Sequence, residues 1–350
     1  MKEKEQLKKI TRPIVLWYQE NKRMLPWRED KSAYAIWISE IMLQQTKIEA
    51  VKSYYARFMK EIPDIQTLAN IPEERLLKLW EGLGYYNRAR NLKKAAIQIQ
   101  EEYLGKMPNT YENIIKLAGI GEYTAGAIAS IAFKEKIPAV DGNVLRVLSR
   151  ILASNKDVLL PATKKEMTAI LQEIMPEEAG DFNEGLMELG ETICIPKGTP
   201  FCEKCPVQDY CEARRLNLTE QIPVRIQKVK RKQEKKTVFF LIYQDKIAIQ
   251  KRKNKGLLGG LYEFPNIDYW IKKSEIDSVL EGWNLEKKNA KIEEFEEKNH
   301  IFSHVKWKMK PIMVEVKKAN TDFIWVTEKE INTKYAMPTA FTKLIKRKDK

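Results

Sequence analysis

Leu117-Ala118-Gly119-Ile120-Gly121-Glu122-Tyr123-Thr124-Ala125-Gly126-Ala127-Ile128 sets two glycines in a turn between two helical stretches. Glycine permits the tight turn and a close backbone approach. The exposed amides at the start of the second helix can hold a phosphate. An ordinary helical hairpin would use the same residues, and the local reading leaves both open. On either side, from Leu7 to Leu216, apolar residues recur at three- and four-residue spacing, with breaks at Pro63, Pro72, Gly105-Lys106-Met107-Pro108, Pro138 and Pro161. That predicts about ten helices. Ile222 to Lys236 is basic and reads as an exposed linker. Beyond it the period becomes two: Thr237–Tyr243 reads as a strand, Lys246–Arg252 as its hairpin partner across Gln244-Asp245, and Lys310–Lys317 and Asp322–Val326 as further strands. An all-α domain followed by an α+β domain is expected.

The 350 residues suffice for two cores. No apolar run approaches a membrane span, and Met1-Lys2-Glu3-Lys4-Glu5 is no signal sequence. No membrane association is expected, and a cytoplasmic location is the default. Net charge is +14. Residues 1–221 carry 32 basic and 31 acidic side chains, and residues 222–350 carry 30 and 17. The excess therefore lies in the C-terminal third. Such a field suits a polyanion such as nucleic acid, although a merely solvated basic surface has the same composition.

All four cysteines fall in one window: Cys194, then seven residues, Cys202, two, Cys205, five, Cys211. Thiols clustered this way in a chain without a secretory signal favour a metal site over disulfides. Zinc ribbons usually show two close pairs. Only one pair is close here, which favours an iron–sulfur cluster.

Two carboxylates stand out. One helix is expected over about Ala33–Phe58, with an apolar stripe of Ile36, Trp37, Leu43, Ile48, Val51 and Tyr55, and Glu40 falls on that stripe. A carboxylate there either pairs with a cation or has a raised pKa suited to a general acid. Asp141, in Val140-Asp141-Gly142-Asn143-Val144, enters a helix. It is either an N-cap or a carboxylate that stabilises a developing sugar cation.

Taken jointly, these residues resemble the MutY adenine DNA glycosylases of the endonuclease III-like superfamily. The matching segments are Leu25-Pro26-Trp27-Arg28, Ser39–Thr46, Gly82–Arg90, the glycine hairpin, Val140–Asn143, Phe182–Gly190 and the four cysteines, in family order over residues 12–215. The resemblance implies an all-α helix-hairpin-helix glycosylase domain (1–221) with a 4Fe–4S cluster in the loop 194–211 on Cys194, Cys202, Cys205 and Cys211. A basic linker (222–236) and a Nudix-like 8-oxoguanine recognition domain (237–350) would follow. It implies that Glu40 protonates the departing adenine and that Asp141 stabilises the oxocarbenium-like state, covalently or electrostatically. Asn143 and Tyr123 would support them. Trp27, Arg28 and Glu184 would line the pocket of the flipped base. Gln45, Thr46, Leu83 and Tyr85 would probe the opened stack, and Gly119 and Gly121 would contact the backbone. The partner would be double-stranded DNA carrying 8-oxoguanine:adenine or guanine:adenine mispairs, met by a monomer, nucleoid-associated in a prokaryote.

Two departures matter. The family usually has six residues between its first two cysteines, and this chain has seven. Relatives with lyase activity carry a lysine where Tyr123 stands, and tyrosine cannot form the Schiff base, so lyase activity should be weak or absent. In the C-terminal domain Gly256–Pro265 matches the segment before a Nudix box, but Lys272-Lys273-Ser274-Glu275-Ile276-Asp277 is a poor substitute for the acidic box. The domain should bind rather than hydrolyse, and Phe302-Ser303-His304 matches the family's contact to 8-oxoguanine. A pyrimidine glycosylase/lyase, a nucleotide pyrophosphohydrolase and a non-catalytic iron–sulfur DNA-binding protein are the competing readings. Tyr123, the missing box, and the retention of Glu40 with Asp141 argue against them in turn.

Overall fold

Gly119 adopts φ +76°, and a Cβ there would stand 2.5 Å from the Asn91 Cβ, so only glycine makes this turn without displacing its neighbour. The helix that follows, Glu122–Phe133, is buried from Thr124 to Ser130. The helix before it, Tyr111–Ile114, is a single turn. The computed structural model describes residues 2–226 and 231–345. The chain divides into a first unit, Met1–Asn70 with Asn91–Gln227, and a second, Ile71–Arg90 with Lys228–Lys350. The second unit thus takes in a segment that the sequence reading left inside the helical domain.

Fourteen α-helices lie between Lys2 and Arg215 among the described residues. The excess over ten comes from short pieces, three of them only four residues long, which no periodicity can register. In the first unit Ala179–Thr192 packs against Thr11–Asn21, Gly142–Ile151 and Glu122–Phe133. Gly185 allows the first crossing, since a Cβ would meet Ile14 Cγ2 at 2.7 Å. Ile14, Val144, Leu148, Phe182 and Leu189 are buried in the apolar core that results.

The expected helix over Ala33–Phe58 is two helices, Ala33–Leu43 and Ile48–Glu61. The break at Gln44–Lys47 contains neither glycine nor proline. Gln45 turns the chain at φ +57°, and the Thr46 amide donates back to the Leu43 carbonyl at 3.1 Å. The stripe reading also needs correction: every residue from Ala35 to Met42 is buried. The first helix is apolar all round rather than amphipathic, and Glu40 is buried on that account.

Among the described residues the second unit is built on eight strands: β1 (Lys232–Tyr243), β2 (Lys246–Lys251), β3 (Tyr262–Glu263), β4 (Asn266–Ile267), β5 (Lys287–Glu294), β6 (Lys298–Ile301), β7 (Val305–Val316) and β8 (Ile324–Val326). They form one sheet with the path β3-β2-β1-β7-β5, to which β4, β6 and β8 attach at β1, β7 and β2. The β1–β2 hairpin turns at Gln244-Asp245 as expected, and β1 runs parallel to β7. Val238 and Phe240 pack on one face of the sheet, and Phe239 and Leu241 on the other. The expected linker 222–236 is shorter than its composition suggests. Lys232–Lys236 are part of β1, and Lys236 is buried with its Nζ 4.7 Å from the Trp307 ring centre. Residues 227–230 of the linker lie outside the described residues. Among the described residues no helix is long and apolar enough to cross a membrane.

Candidate active site

Glu40 reaches a cavity of about 660 Å³ in the first unit, which Trp27, Arg28, Gln45, Thr46, Tyr123, Asp141, Asn143 and Glu184 also line. The helix Ala33–Leu43 delivers Glu40, the start of Glu122–Phe133 delivers Tyr123, and the capped start of Gly142–Ile151 delivers Asp141. Glu40 Oε2 is buried without a hydrogen-bond partner. Burial drives its pKa from the ordinary 4.5 up to about 7. A hydrogen bond from Tyr123 pulls it down, and the negative charges of Asp141 and Glu184 push it up again. The Tyr123 hydroxyl also stands 3.4 Å from Met187 Sδ. With one proton to donate, it serves the carboxylate better than the thioether.

Asp141 is the N-cap of Gly142–Ile151. Its Oδ1 accepts from the amides of Asn143 (2.9 Å) and Val144 (2.8 Å), and its Oδ2 accepts from Asn143 Nδ2 (3.0 Å). Of the two roles left open by the sequence the structure shows the N-cap, and the cap fixes a carboxylate that lines the cavity. Burial raises its pKa, while these hydrogen bonds and Arg146 favour the charged form. Asn143 is held in turn, its Oδ1 accepting from Arg146 Nη2 at 3.0 Å. The same guanidinium donates to the carbonyls of Gly190 (2.7 Å) and Cys194 (2.9 Å), which ties the cap to the cysteine loop.

Arg28 lies against Glu184 (3.5 Å) and more closely against Glu188, with Nη2 donating to Oε2 at 2.7 Å. Burial would raise the Glu188 carboxyl, but Arg23 and Arg28 hold it below its ordinary value. The sequence reading missed Glu188, Arg23 and Arg146. The signal for Glu188 was its position four residues after Glu184 on one helix face, and for Arg146 its position three after Asn143. Trp27 is buried edge-on to Tyr55.

The four cysteines line one cavity of about 30 Å³ together with Arg150, whose Nη1 lies 3.2 Å from Cys194 Sγ. Among the described residues no three histidine, cysteine or acidic side chains stand close enough to hold a single metal ion.

Two groups of expected DNA contacts belong to the second unit. Tyr85 is 49% exposed, at φ +47°. Leu83, expected to probe the stack, is only 6% exposed, with its side chain turned inward. Phe302-Ser303-His304 turns β6 into β7. Ser303 and His304 are exposed with Oγ and Nδ1 3.3 Å apart, and Phe302 packs edge-on between His300 and Trp307. Where an acidic box would stand, the carboxylates are engaged: Glu275 accepts from the Lys272 amide and Asp277 pairs with Lys287.

A profile of the HhH-GPD superfamily of base excision DNA repair proteins matches residues 38–177, and one of the NUDIX domain matches 237–347. The human adenine DNA glycosylase is 32% identical over 95% of this chain and 72% of its own length. The adenine DNA glycosylase of Buchnera aphidicola subsp. Schizaphis graminum is 38% identical over 87% of this chain and 86% of its own. The chain belongs to the adenine DNA glycosylases. It is an enzyme of base excision repair that hydrolyses the N-glycosidic bond of adenine in DNA. Among solved structures, a thermostable thymine-DNA glycosylase superposes with TM-score 0.55 at 29% identity, covering 61% of this chain and 98% of that one. A trapped endonuclease III–DNA covalent intermediate shares the fold, at TM-score 0.52 and 22% identity over the same shares.

Proposed function

We propose that this adenine glycosylase acts as a monomer on duplex DNA, where it removes adenine mispaired with 8-oxoguanine or guanine, and that it does so in the cytoplasm, where a prokaryotic nucleoid lies. One observation carries the chemistry: Glu40, protonated near neutral pH with an orphaned oxygen, shares a cavity with the capped carboxylate of Asp141. Glu40 gives its proton to the departing adenine, and the negative Asp141 offsets the positive charge that builds on the sugar. Asn143 fixes the direction of Asp141, and the Tyr123 hydroxyl steadies Glu40. Trp27, Arg28 and Glu184 enclose the flipped base, and Gln45, Thr46 and Tyr85 probe the gap it leaves. The amides at Gly119 and Gly121 hold a phosphate, with open space in front of the Gly121 Cα. Water completes the reaction, since Tyr123 offers no amine. Lys47 is the one lysine among the described lining residues, and it is exposed.

Ser303 and His304 read the opposite base. 8-oxoguanine differs from guanine by O8 and by a proton on N7, and a hydroxyl can both donate and accept. The excess positive charge after Gln221 draws the duplex in. Cys194, Cys202, Cys205 and Cys211 fit a 4Fe–4S cluster: four thiols line one cavity, with a guanidinium beside one of them. When bound, the cluster would staple a loop otherwise held by short turns.

The test incubates the enzyme with duplexes carrying each mispair, followed or not by alkali. Breaks at adenine that require alkali, fastest opposite 8-oxoguanine, are expected. Equal rates opposite 8-oxoguanine and guanine, or breaks without alkali, would overturn the reading.

A further inference from the structure

The second unit contains two features far apart in sequence: the turn Gly82-Leu83-Gly84-Tyr85 and the loop Phe302-Ser303-His304. The turn is sharp: Gly82 (φ +100°) and Gly84 (+70°) take positive φ as glycine can, and Tyr85 (+47°) is strained, a non-glycine residue held in the left-handed region. Strain of this kind persists only where its surroundings over-determine it. Trp80 Nε1 donates to the Gly84 carbonyl at 3.1 Å. Arg88 Nη2 donates to the carbonyls of Leu83 (3.0 Å) and Gly84 (3.1 Å). The Arg88 guanidinium also faces the rings of Trp80 and Tyr85.

Both flanks of the turn are tied to the C-terminal part of this unit. Before it, the Lys78 side chain is 9% exposed, and its Nζ donates to the carbonyls of Ile331 and Tyr335 (3.0 Å each) while pairing with Glu81 at 2.5 Å. Glu81 Oε1 accepts from the Met337 amide at 2.8 Å. After the turn, Arg90 Nη2 donates to the Gly259 carbonyl at 2.7 Å. The segment so gripped continues into the apolar cluster that seats the loop: Met337, Phe341 and Trp307 are buried together, and Phe302 packs on Trp307.

We infer that Lys78, Glu81 and Arg90 are positioning residues that join the Tyr85 turn to the Ser303-His304 loop as one body, so that reading the opposite base and probing the stack are a single coupled event. This rests on the reading above that Ser303 and His304 contact 8-oxoguanine. Coupling of this kind typically changes a response five- to 150-fold.

The test uses full-length enzyme and single-turnover adenine removal from 8-oxoguanine:adenine and guanine:adenine duplexes. Lys78→Met with Glu81→Gln should lower the ratio of the two rates roughly tenfold and leave the guanine:adenine rate within about twofold. Added to Ser303→Ala, the pair should cost little further, because both act on one event. Lys78→Arg should retain most of the ratio. If the double variant folds poorly, Glu81→Gln alone should shift the ratio in the same direction. An unchanged ratio, equal losses on both duplexes, or losses that multiply fully with Ser303→Ala would overturn the inference. A wild-type enzyme without preference for 8-oxoguanine would instead overturn the parent reading, and this one with it.

Discussion

Replacing Glu40 by Gln should remove a pH-dependent cost to stability while it abolishes base release. Burial holds the Glu40 proton up to about pH 7, whereas an unfolded glutamate loses it near 4.5. The raised folded pKa means that the wild-type carboxyl costs nothing below pH 4.5. Between 4.5 and 7 the unfolded chain is favoured increasingly, and above 7 the cost is constant. At 1.36 kcal/mol for each pH unit, the plateau is about 3 kcal/mol and the cost at pH 5.5 about 1 kcal/mol. Glutamine does not titrate. The difference in stability, variant minus wild type, should therefore grow by about 2 kcal/mol from pH 5.5 to 8, whatever fixed cost the new amide adds. At 2–4 °C for each kcal/mol in a domain of this size, the gap in melting temperature should widen by roughly 4–8 °C. Thermal unfolding of both proteins across that range is the assay. A pH-independent gap, or one that narrows as pH rises, would refute the buried, protonated Glu40.

Three further outcomes are expected. Gly119→Ala forces a side chain into the left-handed region and onto Asn91, so the first unit should lose about 2 kcal/mol or more, measured by denaturant unfolding. Arg146→Met leaves Asn143 Oδ1 and the carbonyls of Gly190 and Cys194 without their donor. It should cost about 3 kcal/mol and slow adenine release, and a variant with wild-type melting and rate would show that the tie is idle. Ser303→Ala should cut the preference for 8-oxoguanine by roughly ten- to hundredfold, as one lost contact of about 1–3 kcal/mol does, in competition assays with both mispairs. It is a cleaner test than deleting residues 237–350, which would also remove the partners that Lys78, Glu81 and Arg90 have there.

The strand at Thr237–Tyr243 was legible as a short run of β-branched and aromatic residues rather than by alternation, because β1 is buried on both faces from Lys236 to Leu241. The glycine turn was legible because only glycine tolerates the Gly119 backbone beside Asn91. The break at Gln44–Lys47 was not, since Gln45 turns left-handed without any residue that announces it. The parallel pairing of β1 with β7 also escaped, because a side-chain pattern reports burial and not which strand is the neighbour. At the site, Glu40, Asp141 and Asn143 were nameable from local pattern and resemblance. The grip of Glu188 on Arg28 and of Arg146 on Asn143 needed the crossing of separate helices. For Leu83 the motif named the residue but not its burial, since a side-chain pattern in a turn does not report that only 6% of it is exposed.

In the proposed mechanism Glu40 donates the proton that releases adenine. The pH dependence of single-turnover adenine removal from an 8-oxoguanine:adenine duplex tests it most directly. With a donor of pKa about 7, the rate should be level below that value and fall about tenfold for each pH unit above it. A rate that rises through pH 7, or a Glu40→Gln enzyme that follows the same profile at near-normal rate, would contradict it.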